Sequence, residues 1–358
     1  LRGPMAALLR TPAPPAASSA AAASPPDSLE RELAATHRPR PAIYWVDFLA
    51  CVAIGWPAFA LAVASWGSGA AWLALGVAVF ALYRAALFIH ELTHLASGAV
   101  PGFLAAWDAL AGFPLLVPSL MYVGSHGEHH KAHIFGTAAD PEYAPIAHWS
   151  RPRLLVATLG MLLIPAALVL RWGLLVPLGA LVPAVRRFAI THLSTLAINA
   201  SYERKPPKGV LKKRWLREEL GCMAVVWAAG VALALGALPV RALALWYGLV
   251  SAILMINHLR TLGAHRYANE GAAMTLDEQV ADSVNLWGPA WLRPLTALLA
   301  PVGLRFHALH HFFPTLPYHA LGAVHRRLVR ELPAGAVYRT TSQPALTSAL
   351  VALANKLK

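Results

Sequence analysis

Long apolar runs separated by short polar punctuation dominate the chain. Two runs, about 44–65 and 70–89, each approach the ~20 residues a helix needs to cross a bilayer. The turn sequence Trp66-Gly67-Ser68-Gly69 between them predicts a hairpin. Arg84 sits near enough to the end of the second run to snorkel to the interface. A third run, about 103–123, is interrupted by Asp108, Pro114 and Pro118, which predicts an interfacial or re-entrant segment rather than one clean crossing. A fourth, about 154–185, is long enough for a hairpin turning around Arg171-Trp172-Gly173, and the last pair, about 220–238 and 242–257, turns at Pro239-Val240-Arg241. From about 260 onward, polar and apolar residues mix and the chain should lie outside the membrane. Neither alternating strand patterns nor a repeat of fixed period is evident. The pattern predicts an all-α integral membrane protein. It has four to six transmembrane helices in hairpins and a cytosolic helical cap. An Ala/Pro/Ser-rich tail over 1–36 reads as disordered, followed by a membrane domain over 37–335 and a C-terminal tail over 336–358.

Composition supports the bilayer. Hydrophobic residues make up 57% and charged residues only 13%, about half the usual charged share of a soluble domain. The net charge of +13 raises nucleic-acid binding, but no basic run is interleaved with an aromatic platform. Lys and Arg in cytoplasmic loops, setting orientation and attracting anionic lipid, account for it better. Cys51 and Cys222 both lie in apolar runs; they offer neither a disulfide framework nor an iron–sulfur site.

The chemistry lies in the histidines. Of sixteen, eight fall in three tight groups: His90-Glu-Leu-Thr-His94, His126-Gly-Glu-His129-His130, and His307-Ala-Leu-His310-His311. His265 is a further candidate. On a helix, residues three and four apart share a face. His90 and His94 therefore point together, and each HxxHH presents a three-nitrogen fan. Neutral imidazole suits iron, zinc, copper or nickel. Eight or nine imidazoles exceed what one tetrahedral zinc takes and match two ions with positions left open for a reactant. Hairpin parity requires all three groups on one side, where the basic segment 186–217 also falls; the positive-inside rule makes that side cytoplasmic.

The order HxxxH, HxxHH, HxxHH with membrane hairpins between resembles the membrane fatty acid desaturase/hydroxylase superfamily. The segments His126–Tyr143 and His310–Gly322 are similar to bacterial members, over about Tyr44–Val329. The resemblance implies a two-iron centre that uses O₂ to abstract hydrogen from an acyl chain. Its metal ligands would be His90, His94, His126, His129, His130, His307, His310 and His311, with His265 as the additional one. No catalytic side chain beyond these ligands is implied. The sequence departs from the pattern at Thr261, where relatives carry Asn. Carboxylates that could orient the rings are Asp140, Glu142, Glu91, Glu128 and Asp282. His133 reads as a supporting or surface residue, and His258, His319 and His325 are weaker candidates; His37, His148 and His192 read as structural or solvated.

The resemblance implies a fatty acid (acyl-lipid) desaturase, with hydroxylation or ketolation of a lipid or carotenoid as the alternative. The substrate would be an acyl lipid, acyl-CoA or acyl-ACP. The chain carries no cytochrome b5 signature, cluster cysteines or GxGxxG, so a ferredoxin or cytochrome b5-like protein would supply electrons. The basic residues at 204–217 could dock an acidic donor. The expected location is the bacterial inner membrane, with both termini cytoplasmic. His90-Glu91-Leu92-Thr93-His94 is also a literal HExxH, the zinc-protease motif with Glu91 as general base. A protease has no use for two HxxHH boxes, and no Asp-Gly pair occurs anywhere.

Overall fold

The computed structural model describes residues 33, 37–96, 98–196, 198–333 and 335–358. The tail expected over 1–36 lies outside the described residues, except Leu33, which is buried beside Val280 and Leu328.

Helices α1 (Pro41–Ala64) and α2 (Gly69–His94) form the first hairpin. Pro41 opens α1, where its missing N–H costs nothing. The Ser68 hydroxyl caps α2 by accepting from the Ala71 N–H at 3.3 Å. The two helices pack closely because Gly55 has no side chain; a Cβ there would lie 2.6 Å from Leu82 Cγ. Arg84 does not snorkel. It forms an ion pair with both oxygens of Asp47 of α1, and Asp47 Oδ2 also accepts from the Tyr318 hydroxyl at 2.8 Å. A neighbouring carboxylate satisfies the guanidinium before the interface does.

The segment 103–123 is broken, as its Asp and prolines predict. A short helix, Phe103–Trp107, runs into a π-turn at Asp108–Gly112, and a 3₁₀ turn follows at Ser119–Met121. Buried Asp108 folds the segment back by accepting from the Ser119 N–H and hydroxyl at 2.8 and 3.0 Å. Helix α3 (Ser125–His129) follows.

Next comes α4 (Arg151–Leu181), a 31-residue helical stretch. The turn expected at Arg171-Trp172-Gly173 does not form; a π-turn over Arg171–Leu175 carries the helix through. The cause is that Arg171 is satisfied in place by Glu219 at 2.9 Å and the Leu193 carbonyl at 3.2 Å. Gly173 also gives room for Val226 and accepts from the Trp227 indole at 3.0 Å. The chain turns later, at extended Val182, where Pro183 disfavours helical backbone for its predecessor. Helix α5 (Pro183–His192) then returns.

Helices α6 (Val210–Ala234) and α7 (Val240–Leu262) flank the turn expected near Pro239. They splay apart: α6 packs on the π-turn of α4, while α7 packs on α2 and α4. Four helices, α1, α2, α4 and α7, are long and apolar enough to cross a membrane. Their outer faces expose Val46, Leu49, Leu61, Leu73, Val156, Leu163 and Leu181, which hydrocarbon tolerates and water does not. The protein is an all-α integral membrane protein.

The hairpin ends gather on one side. The Arg151 N–H reaches the Lys358 carbonyl at 3.1 Å, and the Arg40 N–H reaches His319 at 3.4 Å. Arg214 donates to the Ser119 hydroxyl at 2.7 Å, and Arg204 donates to the Val123 and Ser194 carbonyls at 2.6 Å. The cap on that side holds α8 (Leu276–Asp282), α9 (His307–Phe312), α10 (Tyr318–Glu331) and α11 (Leu346–Ala354). The C-terminal segment, expected as a tail over 336–358, is built into the cap. Ser342–Gln343 pairs in parallel with Asn285–Leu286, and Leu346 and Ala349 are buried beside Leu249, Val250 and Ile253. Gly263 and Gly288 allow this docking. A Cβ at the first would meet Leu346 at 2.4 Å, and one at the second would strike the Pro344 carbonyl at 2.1 Å.

Candidate metal centre

All nine histidines singled out from the sequence converge. His90, His94, His126, His130 and His310 bring one nitrogen each within 4.8 Å of one another, and so do His129, His265, His307 and His311. The two clusters adjoin: the His130 and His311 rings stack 4.4 Å apart.

The helical boxes do not act as undivided fans. In HxxHH the first and last positions differ by about 40° around a helix, while the middle histidine lies about 60° to the other side. Accordingly, His126 and His130 serve the first cluster and His129 the second, whereas His307 and His311 serve the second and His310 the first. Each box therefore bridges both clusters. The end of α2 contributes His90 and His94, and His265 enters just past α7.

Carboxylates orient several rings. His129 Nδ1 lies 2.9 Å from both oxygens of Asp140, which has no exposed surface and also accepts from the Gly136 N–H at 2.8 Å. His126 Nδ1 lies 2.9 Å from Glu142 and 2.9 Å from the Tyr122 hydroxyl. His265 Nδ1 lies 3.5 Å from Asp282 and 3.3 Å from the Ser283 hydroxyl. A carboxylate on Nδ1 fixes the proton there and leaves Nε2 as a bare lone pair. Burial first, and then the other imidazoles, holds His130, His310 and His311 well below the usual histidine range. These rings are therefore neutral. At His129 burial pulls the same way, but Asp140 outweighs it and raises the value. Burial lifts Glu142 to about 7.

Bare lone pairs that converge repel unless a cation sits between them. His130 Nε2 lies 3.1 Å from both His126 Nε2 and His310 Nε2, and His307 Nε2 lies 2.9 Å from His265 Nε2 and 3.0 Å from His311 Nε2. Two nitrogens bound at right angles to one ion, with bonds of about 2.1 Å, sit about 3.0 Å apart. The buried Nε2 atoms of His90 and His94 also have no hydrogen-bond partner among the described residues. The donor set fits two metal ions.

The other expected residues divide. Glu91 is not aimed at the clusters; it accepts from the Tyr44 hydroxyl at 2.7 Å and the Tyr318 N–H at 3.0 Å. An HExxH protease needs that carboxylate free beside its zinc, and here it ties α2 to α1 and α10. Glu128 accepts from Tyr202 at 2.6 Å. His133 is exposed, His258 meets Thr158 at 3.1 Å, and His325 meets the Tyr338 hydroxyl at 2.7 Å. His37 lies 3.2 Å from the Leu33 carbonyl. His148 lies 2.9 Å from the Ala268 carbonyl, and the His192 ring lies tilted against Phe188, 5.1 Å between centroids. Sequence reasoning missed Tyr122, Ser283 and Arg260. Tyr122 had a signal, since it stands four residues before His126.

A cavity of about 460 Å³ opens against the first cluster. His90, Tyr122, Glu142, Arg260 and Thr261 line one part, and Leu115, Ile164, Leu168 and Ile253 are among its many apolar walls. Its volume suits a lipid chain. The profile of the fatty acid desaturase family matches residues 64–342. The chain belongs to that family. It is 42% identical over 316 residues to a ceramide hydroxylase of Caulobacter vibrioides (strain NA1000 / CB15N), covering 87% of this chain and 88% of the relative. No solved structure matches. The protein is therefore a membrane oxidoreductase of the desaturase/hydroxylase kind with a histidine site able to hold metal.

Proposed function

We propose that the protein is an O₂-dependent hydroxylase of a ceramide-like lipid, working through two irons held by the nine converging histidines. The likeness to the ceramide hydroxylase carries this reading: it spans almost the whole of both chains. Desaturation, the outcome first expected from the boxes, gives way on that ground, because the boxes themselves serve both outcomes. The overall balance is R–H + O₂ + 2e⁻ + 2H⁺ → R–OH + H₂O.

Bound iron would supply the O₂ activation and hydrogen abstraction. The chain's own residues do the rest. The all-imidazole set keeps the site free of anionic ligands, and Asp140, Glu142 and Asp282 hold the rings in the tautomer that presents Nε2. The apolar cavity walls exclude water and align a lipid chain beside His90. The electrons come from outside. We assign docking of an acidic ferredoxin or cytochrome b5-like donor to Lys205, Lys208, Lys212, Lys213 and Arg217, which are exposed. Arg204 of the same segment is spent inside, where burial pushes it down to about 10. That face would be cytoplasmic, in a bacterial inner membrane.

Lipid mass spectrometry decides the reading. In a ceramide-containing host lacking its own hydroxylases, expression should yield ceramide with one added oxygen. Loss of two hydrogens with no added oxygen would return the assignment to desaturase. Reporter fusions at the C-terminus should report cytoplasm; a periplasmic signal would reverse the orientation.

A further inference from the structure

The walls of the large cavity are mostly apolar, and of the two buried cations that line it, Arg171 is paired with Glu219 while Arg260 lies beside the metal centre. Arg260, at the end of α7, is 8% exposed and lines both this cavity and a water-sized space among His126, His129 and His307. Its Nε donates to Asn257 Oδ1 at 3.1 Å and its Nη2 to Thr261 Oγ1 at 2.8 Å. Both partners are neutral. Among the described residues no carboxylate lies within ion-pair distance of it; Glu142, on the same wall, acts on it through space and is itself held by His126 and Tyr122.

A buried guanidinium with no anion in direct contact is costly. A site that received only a mid-chain methylene would have no use for it. Uncharged polar oxygens, by contrast, gain strongly from a charged donor in a dry pocket. Arg260, Thr261 and Tyr122 line the same cavity as His90, and most of its other walls are apolar. A lipid that fits both puts its polar linkage at the metals and its hydrocarbon in the remainder.

We propose that Arg260 is the specificity-determining residue of this cavity: it donates to a carbonyl or hydroxyl oxygen of the lipid's amide-bearing polar region. It thereby fixes the oxidised carbon at a set number of bonds from that oxygen. The proposal rests on lipid oxidation at this site, but it concerns position rather than the kind of product. The regiochemistry is counted from the polar end and not from the methyl end.

The test uses the full-length, iron-loaded protein with its reductant and a series of ceramides lengthened in either chain. The oxidised carbon should keep its distance from the amide through the series. A carbon that instead keeps its distance from the methyl terminus overturns the proposal, and this arm needs no variant. Separately, native mass spectrometry on metal-free protein measures retention of a ceramide. Arg260→Met should weaken retention about 10- to 100-fold, the worth of a hydrogen bond to a charged group, and Arg260→Lys should restore part of it. Unchanged retention and unchanged regiochemistry in Arg260→Met would refute the role. A double bond at the same fixed position would remove the hydroxylase reading while leaving Arg260 its place.

Discussion

The two histidine clusters draw on the same boxes but are held by different means. In the four-histidine cluster, His129 is locked by a fully buried carboxylate, and His265 lies beside Asp282 and Ser283. Phe135 and Tyr143 pack against the His265 ring, 5.4 and 5.9 Å between centroids. In the five-histidine cluster, among the described residues only His126 leans on polar side chains outside the cluster, while His90 and His94 are placed by α2 itself. Of the nine rings, only His90 faces the large cavity. The first arrangement suits permanence and the second suits access. A helix can present ligands without surrounding them, and that leaves a flank for substrate.

The largest effect should come from splitting one box. His310→Ala and His307→Ala stand three residues apart yet belong to different clusters. Each should drop iron from two ions per chain to one and cut turnover below about 1% of wild type, beyond the 10- to 100-fold cost of losing a mere ring support. Metal analysis alongside turnover checks this. If both variants lost the same ion, judged by the spectrum of the iron that remains, the box would be an undivided fan after all.

Next in size is the contrast between carboxylates. Asp140→Asn should weaken retention of metal against a chelator by about 10- to 100-fold. Among the described residues Asp140 is the sole side-chain partner of His129 Nδ1, and it also organises its own loop through the N–H groups of Gly136 and Glu142. Glu142→Gln should cost less, because the Tyr122 hydroxyl holds the same nitrogen. Equal losses would erase the distinction between the clusters.

Much of this centre was legible in the sequence. Imidazole spacing follows from helix geometry, so the eight box histidines could be named from residues alone, while His265 took its role from the resemblance; the parity that put them on one side assumed a hairpin within 154–185 that forms instead as one long helical stretch. The partition of each HxxHH was implicit in the same 100° per residue. The misplaced turn has a different origin. Arg171-Trp172-Gly173 has the composition of a turn, but its fate depends on Glu219, a residue 48 positions away. Arg84 misled in the same way, since Asp47 lies on the neighbouring helix. The docking of 336–358 depends on glycines at 263 and 288 that make room for it, and no local pattern announces such a contact. Arg260 was passed over because a cation at a helix end has an ordinary explanation until the cavity beside it is seen.

The smallest effect tests whether the support on His126 is shared. The Tyr122 ring stacks on His126 at 4.7 Å between centroids, and its hydroxyl reaches Nδ1 at 2.9 Å, the same distance as Glu142. Tyr122→Phe keeps the stacking and removes the hydrogen bond to His126, worth about 0.5–1.5 kcal/mol, together with a long one to Glu142 at 3.5 Å. Metal retention should therefore fall by only a few-fold, with turnover moving in parallel. The double variant Tyr122→Phe/Glu142→Gln should lose more than the two single losses combined, because weakening both partners leaves Nδ1 poorly held and frees the ring to turn. Resistance to a chelator, read for all four proteins, gives that coupling directly. Simple additivity would mean the two groups act on His126 independently, and the five-histidine cluster would then owe the placement of this ring to packing against α2 rather than to a shared polar support.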